Sequence, residues 1–278
     1  MTLAAVVPGE PLEIQGVRVW VRRQGHGEPV VLLHGMGASA YSWRHVVGPL
    51  AADFSVTAFD WPGHGRSEQP MSFDYSSGGY SRFLLALLDK LGAAKAALVG
   101  NSMGGVVALR TAIEAPERVS RMVLIGTPTY PHNRPALLWP LTWPVAGKLL
   151  ENLLGPWAVP IVARSAFYDP SMVTQELVNE YSQALSKPGG RRAIADFLRT
   201  AIPSDVDAFI ERYKKLTMPV LVLRGSHDGV LDEASAKRFA SEVPKGRFVS
   251  FDLSGHAPQE ESPERVVPVL REFLRDGR

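Results

Sequence analysis

Ala96-Ala97-Leu98-Val99-Gly100-Asn101-Ser102-Met103-Gly104-Gly105-Val106-Val107-Ala108-Leu109 is the stretch from which the fold can be read. Its first four residues are apolar on both faces, as a strand buried in a parallel sheet must be. From Met103 an apolar helical pattern begins. Between them lies Gly-x-Ser-x-Gly, in a strand–turn–helix setting. Glycines two positions either side of Ser102 remove side chains that would collide in a sharp turn. Such a turn lifts the serine hydroxyl above the sheet, beside a helix N-terminus whose amides favour developing negative charge. Ser102 is therefore the candidate nucleophile. A glycine-rich turn that binds phosphate is the alternative, and the rest of the chain decides between them.

Working outward, the same kind of short apolar run recurs at Val30–Leu33, Val56–Phe59, Met122–Ile125 and Val220–Leu223, with a further run at Phe248–Leu253. Before them, Leu12–Arg23 alternates apolar and polar residues around Gln15-Gly16, which reads as an edge hairpin. Tyr80, Phe83, Leu84, Leu87, Leu88 and Leu91 repeat with helical spacing, and Gly92 follows where a helix ends. Weaker helical patterns cover Ser42–Ala51, Met103–Ala115, Asp232–Val243 and Pro263–Leu274. This alternation predicts an α/β protein with a mostly parallel, doubly wound sheet. It stops after Ile125. From Pro128 to Leu216 there is no buried-strand run, and helices are expected around Met172–Leu185, Arg191–Ile202 and Asp205–Tyr213. The expected organisation is a core of residues 1–127 and 217–278, with a helical segment, 128–216, inserted after the sixth strand.

A serine needs a base, and the base needs an orienting acid. On this topology the chain order is Ser, then acid, then His. Asp228 lies just past Val220–Leu223, and His256 just past Phe248–Leu253, both at strand carboxyl ends where crevices form. Asp232 reads as a helix N-cap, and His227, adjacent to Asp228, is poorly placed to fold back onto it. An acyl-transfer intermediate also needs two amide donors on its oxyanion. Met103, following the nucleophile, and Met36, in His34-Gly35-Met36-Gly37 after the third strand, are the expected pair. His34, Asp60, His64 and Arg66 read as loop scaffold.

Composition narrows the functions further. The 278 residues carry 30 Lys+Arg against 28 Asp+Glu, with 45% hydrophobic and 21% charged residues and no cysteine. Disulfides, thiolate nucleophiles and iron–sulfur clusters are excluded. There is no dense basic run for nucleic acid or a polybasic membrane contact. No signal peptide is read, and the longest stretch free of Asp, Glu, Lys and Arg, Pro29–Trp43, has 15 residues, too short for a span. A cytoplasmic protein without an integral membrane segment is expected. No metal-ligand spacing or dinucleotide fingerprint is present, so no metal and no cofactor are expected.

His34-Gly35-Met36-Gly37, Asp60-x-Pro62-Gly63-x-Gly65-x-Ser67, Gly100-Asn101-Ser102-Met103-Gly104-Gly105, Gly225-x-x-Asp228 and Gly255-His256-x-Pro258-x-x-Glu261 resemble, in order, the α/β-hydrolase superfamily. The resemblance implies a Ser102–Asp228–His256 triad and a helical cap over the active site at 128–216. A serine rather than an aspartate nucleophile argues against the dehalogenase and epoxide-hydrolase branches. Hydrolysis of a small-molecule carboxylic ester with an apolar acyl or alcohol group is the leading expectation. The alternative is a carbon–carbon bond hydrolase acting on ring-cleavage products. Gly-Asn-Ser-Met-Gly-Gly resembles that branch, whose asparagine contacts substrate. Those enzymes carry Trp after the base, where this chain has Ala257, and their cap arginine has candidates in Arg164, Arg191 and Arg192. A non-enzymatic ligand receptor is a third possibility. Gly35, Asn101, Trp139, Trp143 and Trp157 are the expected substrate-contacting residues, the tryptophans because the segment around them is densely apolar.

Overall fold

The computed structural model describes residues 9–131, 140–143, 145–201 and 205–277. A sheet of eight strands runs in the order β1-β2-β4-β3-β5-β6-β7-β8. The strands are β1 (Glu10–Ile14), β2 (Val17–Gln24), β3 (Pro29–Leu33), β4 (Ser55–Phe59), β5 (Ala96–Asn101), β6 (Val119–Ile125), β7 (Val220–Gly225) and β8 (Gly246–Phe251). β1 pairs antiparallel with β2, and β2 with β4; every other pairing is parallel. The chain steps from β3 out to β4 and then returns to the other side of β3 as β5. That reversal puts a crevice at the carboxyl ends of β3 and β5, where Leu33 is in register with Gly100.

Residue alternation along the central strands divides the core in two. Val31, Leu33, Leu98, Met122, Leu124 and Val222 bury against α2 (Ser77–Lys90), α3 (Met103–Glu114) and α9 (Glu233–Glu242). Val30, Leu32, Val99, Val123, Ile125 and Leu223 face the other way, with α1 (Val47–Ala51) and α11 (Pro263–Asp276). Both faces are covered, which is why these strands read as unbroken apolar runs.

Between β6 and β7 the described residues form helices and no strand: α4 (Ala146–Leu153), α5 (Ala158–Ala166), α6 (Gln175–Leu185), α7 (Pro188–Thr200) and α8 (Val206–Glu211). The last three helices match the expected ones, although Ile202 lies outside the described residues. α4 and α5 are additions to the sequence reading. Two further expectations are corrected. Ser42–Ala51 is not one helix but a 3-10 turn, Ala40–Trp43, followed by α1. Pro49 lacks the N–H that an interior helical position needs, so the α-helix starts only at Val47. β8 ends at Phe251 rather than Leu253, because Leu253 adopts φ +55°, outside the strand region.

Candidate active site

The turn between β5 and α3 forces Ser102 to φ 51° and ψ −116°, a conformation non-glycine residues avoid. Its backbone N–H donates to the Ile125 carbonyl at 2.9 Å, which fixes the turn to β6. Gly104 is required by packing: a Cβ there would lie 2.2 Å from the carbonyl oxygen of Leu33. The loop after β3 also approaches closely. A Cβ on Gly35 would stand 3.4 Å from the Ser102 Cβ.

His256 Nδ1 lies 2.9 Å from Asp228 Oδ1. That oxygen also accepts the amides of Val230 at 2.8 Å and Leu231 at 3.1 Å. An ionised carboxylate only accepts, so Nδ1 carries the hydrogen and neutral His256 has its lone pair on Nε2. Burial pushes the Asp228 carboxyl up, but the facing His256 and the two amides outweigh it and hold it below its usual value. Burial likewise pushes His256 down, and the Asp228 carboxylate, with a smaller contribution from Glu261, overcomes this and raises it.

The rest of the mount is less visible in sequence. Arg224, buried at the end of β7, donates to the carbonyls of Leu231 at 2.7 Å, Ser226 at 3.2 Å and Asp228 at 3.3 Å. It thereby braces the loop that carries the acid. Glu261, the last residue of the one-turn helix α10 (Pro258–Glu261), accepts from Gly255 N at 2.9 Å and Ala257 N at 3.3 Å. Its other oxygen takes the amide of Tyr168, from the insertion, at 2.7 Å. The motif around His256 signalled Glu261; nothing in the sequence signalled Arg224 in this role.

Ser102, His256, Met36, Met103, Gly35 and Asn101 all border one cavity of about 390 Å³ between the sheet and the insertion. Its walls are mainly apolar, with Leu154, Ala158, Val159 and Val162 contributed by the insertion. No Lys or Arg occurs among the described residues of the wall; the ionisable groups there besides tyrosines are His256 and Glu260. Glu260 is itself engaged, accepting from Arg44 Nη1 at 2.6 Å and from the Tyr181 hydroxyl at 2.7 Å. Among the described residues no group of three or more His, Cys, Asp or Glu side chains could hold a metal ion.

Several expected roles are redistributed. Asn101 borders the cavity, but its amide nitrogen donates to the carbonyls of Ile125 and His256, both at 3.1 Å. It ties the turn to the base loop. Trp143 and Trp157 are 50% and 61% exposed and lie outside the cavity wall. Trp143 precedes α4 and Trp157 caps the start of α5, whose Ala158, Val159 and Val162 face inward instead. Trp139 lies outside the described residues. His227 stacks on Tyr168 with ring centroids 4.4 Å apart and stays off the cavity. His34 receives the Trp61 amide on Nε2 at 3.1 Å, so its Nδ1 donates to the Gly35 carbonyl at 2.8 Å, a loop-building role. Asp60 accepts from Ala40 N at 2.7 Å and Arg66 N at 2.8 Å, also as scaffold.

Comparison with known proteins is consistent with this geometry. The 2-hydroxy-6-oxononadienedioate/2-hydroxy-6-oxononatrienedioate hydrolase of Burkholderia vietnamiensis is 32% identical over 93% of this chain and 91% of its own. A soluble epoxide hydrolase of a Corynebacterium species is 28% identical over 94% of this chain and 95% of its own. The solved structure of a meta-cleavage product hydrolase from Pseudomonas fluorescens superposes with a TM-score of 0.81 at 26% identity, covering 97% of this chain and 98% of that one. The sequence model of the alpha/beta hydrolase fold matches residues 28–263, and the chain belongs to the α/β-hydrolase family.

Proposed function

We propose that this protein hydrolyses carboxylic esters whose acyl or alcohol part is apolar and uncharged, through an acyl-enzyme on Ser102. Residues 128–216 act as the cap that closes the site. In this reading Ser102 Oγ attacks the carbonyl carbon while His256 Nε2 takes its proton. Asp228, held ionised, keeps the imidazole in the required tautomer and stabilises the imidazolium. The amides of Met36 and Met103 receive the oxyanion, Met103 with the help of the α3 N-terminus. Collapse expels the alkoxide, protonated by His256, and water then releases the acid by the same steps in reverse.

The observation that carries the reading is the cavity: Ser102 and His256 open onto a mainly apolar wall with no described cation. A carboxylate-bearing substrate buried there would lose its hydration without an ion pair, a cost of several kcal/mol. The second reading is carbon–carbon bond hydrolysis. It is favoured by the likeness to proteins whose names describe that reaction, and it uses the same acylation of Ser102 with a carbon leaving group. Ala257, where that branch carries Trp, speaks for the ester.

A substrate series separates the two. Wild type and Ser102→Ala would be assayed on p-nitrophenyl esters of graded length and on a dienolic ring-cleavage ketone. The ester reading expects turnover of the esters, abolished in Ser102→Ala by about a thousandfold or more. Turnover of the ketone alone would transfer the assignment to the second reading, and ester turnover retained in Ser102→Ala would remove the nucleophile.

A further inference from the structure

The exposed large apolar side chains are concentrated in one place. Of nine among the described residues, six fall between Trp143 and Ile161: Trp143, Val145, Leu149, Leu153, Trp157 and Ile161. They are between 50% and 76% exposed. The last five are spaced four residues apart, so they form one line along α4 and onto α5. The junction between the helices does not break the line, because the Trp157 indole N–H donates to the Leu153 carbonyl at 3.2 Å. The opposite side of the same segment, Leu154, Ala158, Val159 and Val162, lines the cavity. The segment is thus apolar on both sides, substrate space beneath and solvent above.

Its charges are of one sign. From Pro140 to Tyr168 the sole acid is Glu151, which pairs with Arg199 at 2.9 Å, whereas Lys148 and Arg164 are exposed. An apolar face that includes two exposed tryptophans, Trp143 and Trp157, and is accompanied by exposed cations matches the headgroup region of an anionic bilayer. No helix among the described residues is long and apolar enough to cross one. We propose that the α4–α5 face docks on an anionic phospholipid surface and that apolar substrate reaches the cavity from there. The second clause rests on the ester reading above; the docking itself does not. A second copy of the chain would bring no free acidic group from this stretch to meet Lys148 and Arg164, since Glu151 is already paired with Arg199.

The test is co-sedimentation with vesicles of phosphatidylcholine, alone and with a third phosphatidylglycerol. Wild type should bind the anionic vesicles more tightly than the neutral ones. Leu149→Ser combined with Leu153→Ser should weaken that binding by about tenfold or more, since each leucine contributes apolar area to the contact. Lys148→Glu with Arg164→Glu should remove the preference for phosphatidylglycerol. Turnover of a water-soluble short-chain ester should be unchanged in both variants, because neither pair lines the cavity. Wild type left in the supernatant with both vesicles would overturn the proposal. So would a leucine variant that binds like wild type, or a wild-type dimer that the leucine variant turns into a monomer. Vesicle binding by a protein that turns over no soluble ester would support docking and count against the ester reading alone.

Discussion

The backbone N–H of His256 donates to the carbonyl of Ala166 at 2.8 Å, so the proposed base is hung from the end of α5 in the insertion. The His256 carbonyl is held in turn by Asn101, and the amides on either side of it by Glu261. The β5–α3 turn, the loop after β8 and the insertion therefore converge on one residue. The Ala166–Tyr168 segment is tied to the loop that carries His256 at two points, through the His256 amide and through Glu261.

Glu261→Gln tests that mount. The amide keeps one accepting oxygen where the carboxylate has two, and it loses the charge. Weakening hydrogen bonds to a charged acceptor, about 1.5–3 kcal/mol, should lower kcat by roughly ten- to a hundredfold with little change in KM. Glu261 also helps to raise the His256 pKa, so the acid limb of kcat/KM should move to lower pH. A variant that is merely less stable, with an unmoved pH profile, would reduce Glu261 to a structural residue.

In wild type the acid limb itself is informative. His256 must be neutral to take the Ser102 proton, and Asp228 raises its pKa above the ordinary value of 6.5. Activity should therefore fall as pH drops through a midpoint above about 6.5. A midpoint well below that value would mean that the base is not the residue paired with Asp228.

Asp228→Asn should be far more damaging than Asp232→Asn. At Asp228 the amide loses the charge and can turn its NH₂ toward the ring, favouring the wrong tautomer; the equivalent change in a serine protease costs about 10⁴-fold. Asp232 caps α9 by accepting the Ser235 amide at 2.8 Å, and asparagine caps about as well. Equal kcat/KM for the two variants would misplace the triad acid.

The contrast between these aspartates shows what could be read from the sequence. The two proposed partners of Ser102 follow apolar runs, Val220–Leu223 buried throughout and Phe248–Phe251 mostly half-buried, so their positions at strand carboxyl ends were legible. The inward side of the insertion was not. In Leu154 and α5 one face lines the cavity, while Trp157 and Ile161 beside it are exposed, yet both sides are apolar, so no polar stripe told Trp157 from Val159. The tying role of Asn101 was hidden for a different reason. Its partners are backbone carbonyls of Ile125 and His256, brought to it by the fold across 24 and 155 positions of chain. Arg224 had the same handicap, since its targets are main-chain oxygens that carry no residue-specific signal.

Gly104→Ala should fail at the level of folding. The added methyl would meet the Leu33 carbonyl at 2.2 Å, with Gly104 in the first turn of α3 and Leu33 at the end of the central strand β3. Relieving that clash requires α3 to move off β3, at a cost of roughly 3 kcal/mol or more. Thermal unfolding within 2–3 °C of wild type would show that the elbow is looser than described.

Stability should decline as pH falls from about 7 to about 5. Burial, with His64 adding repulsion, pushes His34 well below its usual pKa, and burial lowers His64 to about 4. Unfolded, both titrate near 6.5. Depressed groups of this kind contribute stability that is complete above the unfolded pKa and is lost as pH falls toward the folded one. At pH 5 His64 forgoes about 2 kcal/mol relative to neutral pH, and His34 adds to the loss in the same direction. Asp60 acts the other way. Burial raises its carboxyl to about 6, so it binds a proton in the folded state before it does so unfolded. At pH 5 that returns about 1 kcal/mol. The two histidines together outweigh Asp60, so the balance is a net loss of stability, accompanied by net proton uptake on unfolding. Urea midpoints at the two pH values measure it, and the gap should narrow in His64→Gln, which cannot gain the proton. A midpoint that rises on acidification would mean that Asp60 outweighs the two histidines, and that one of them is already charged in the folded protein.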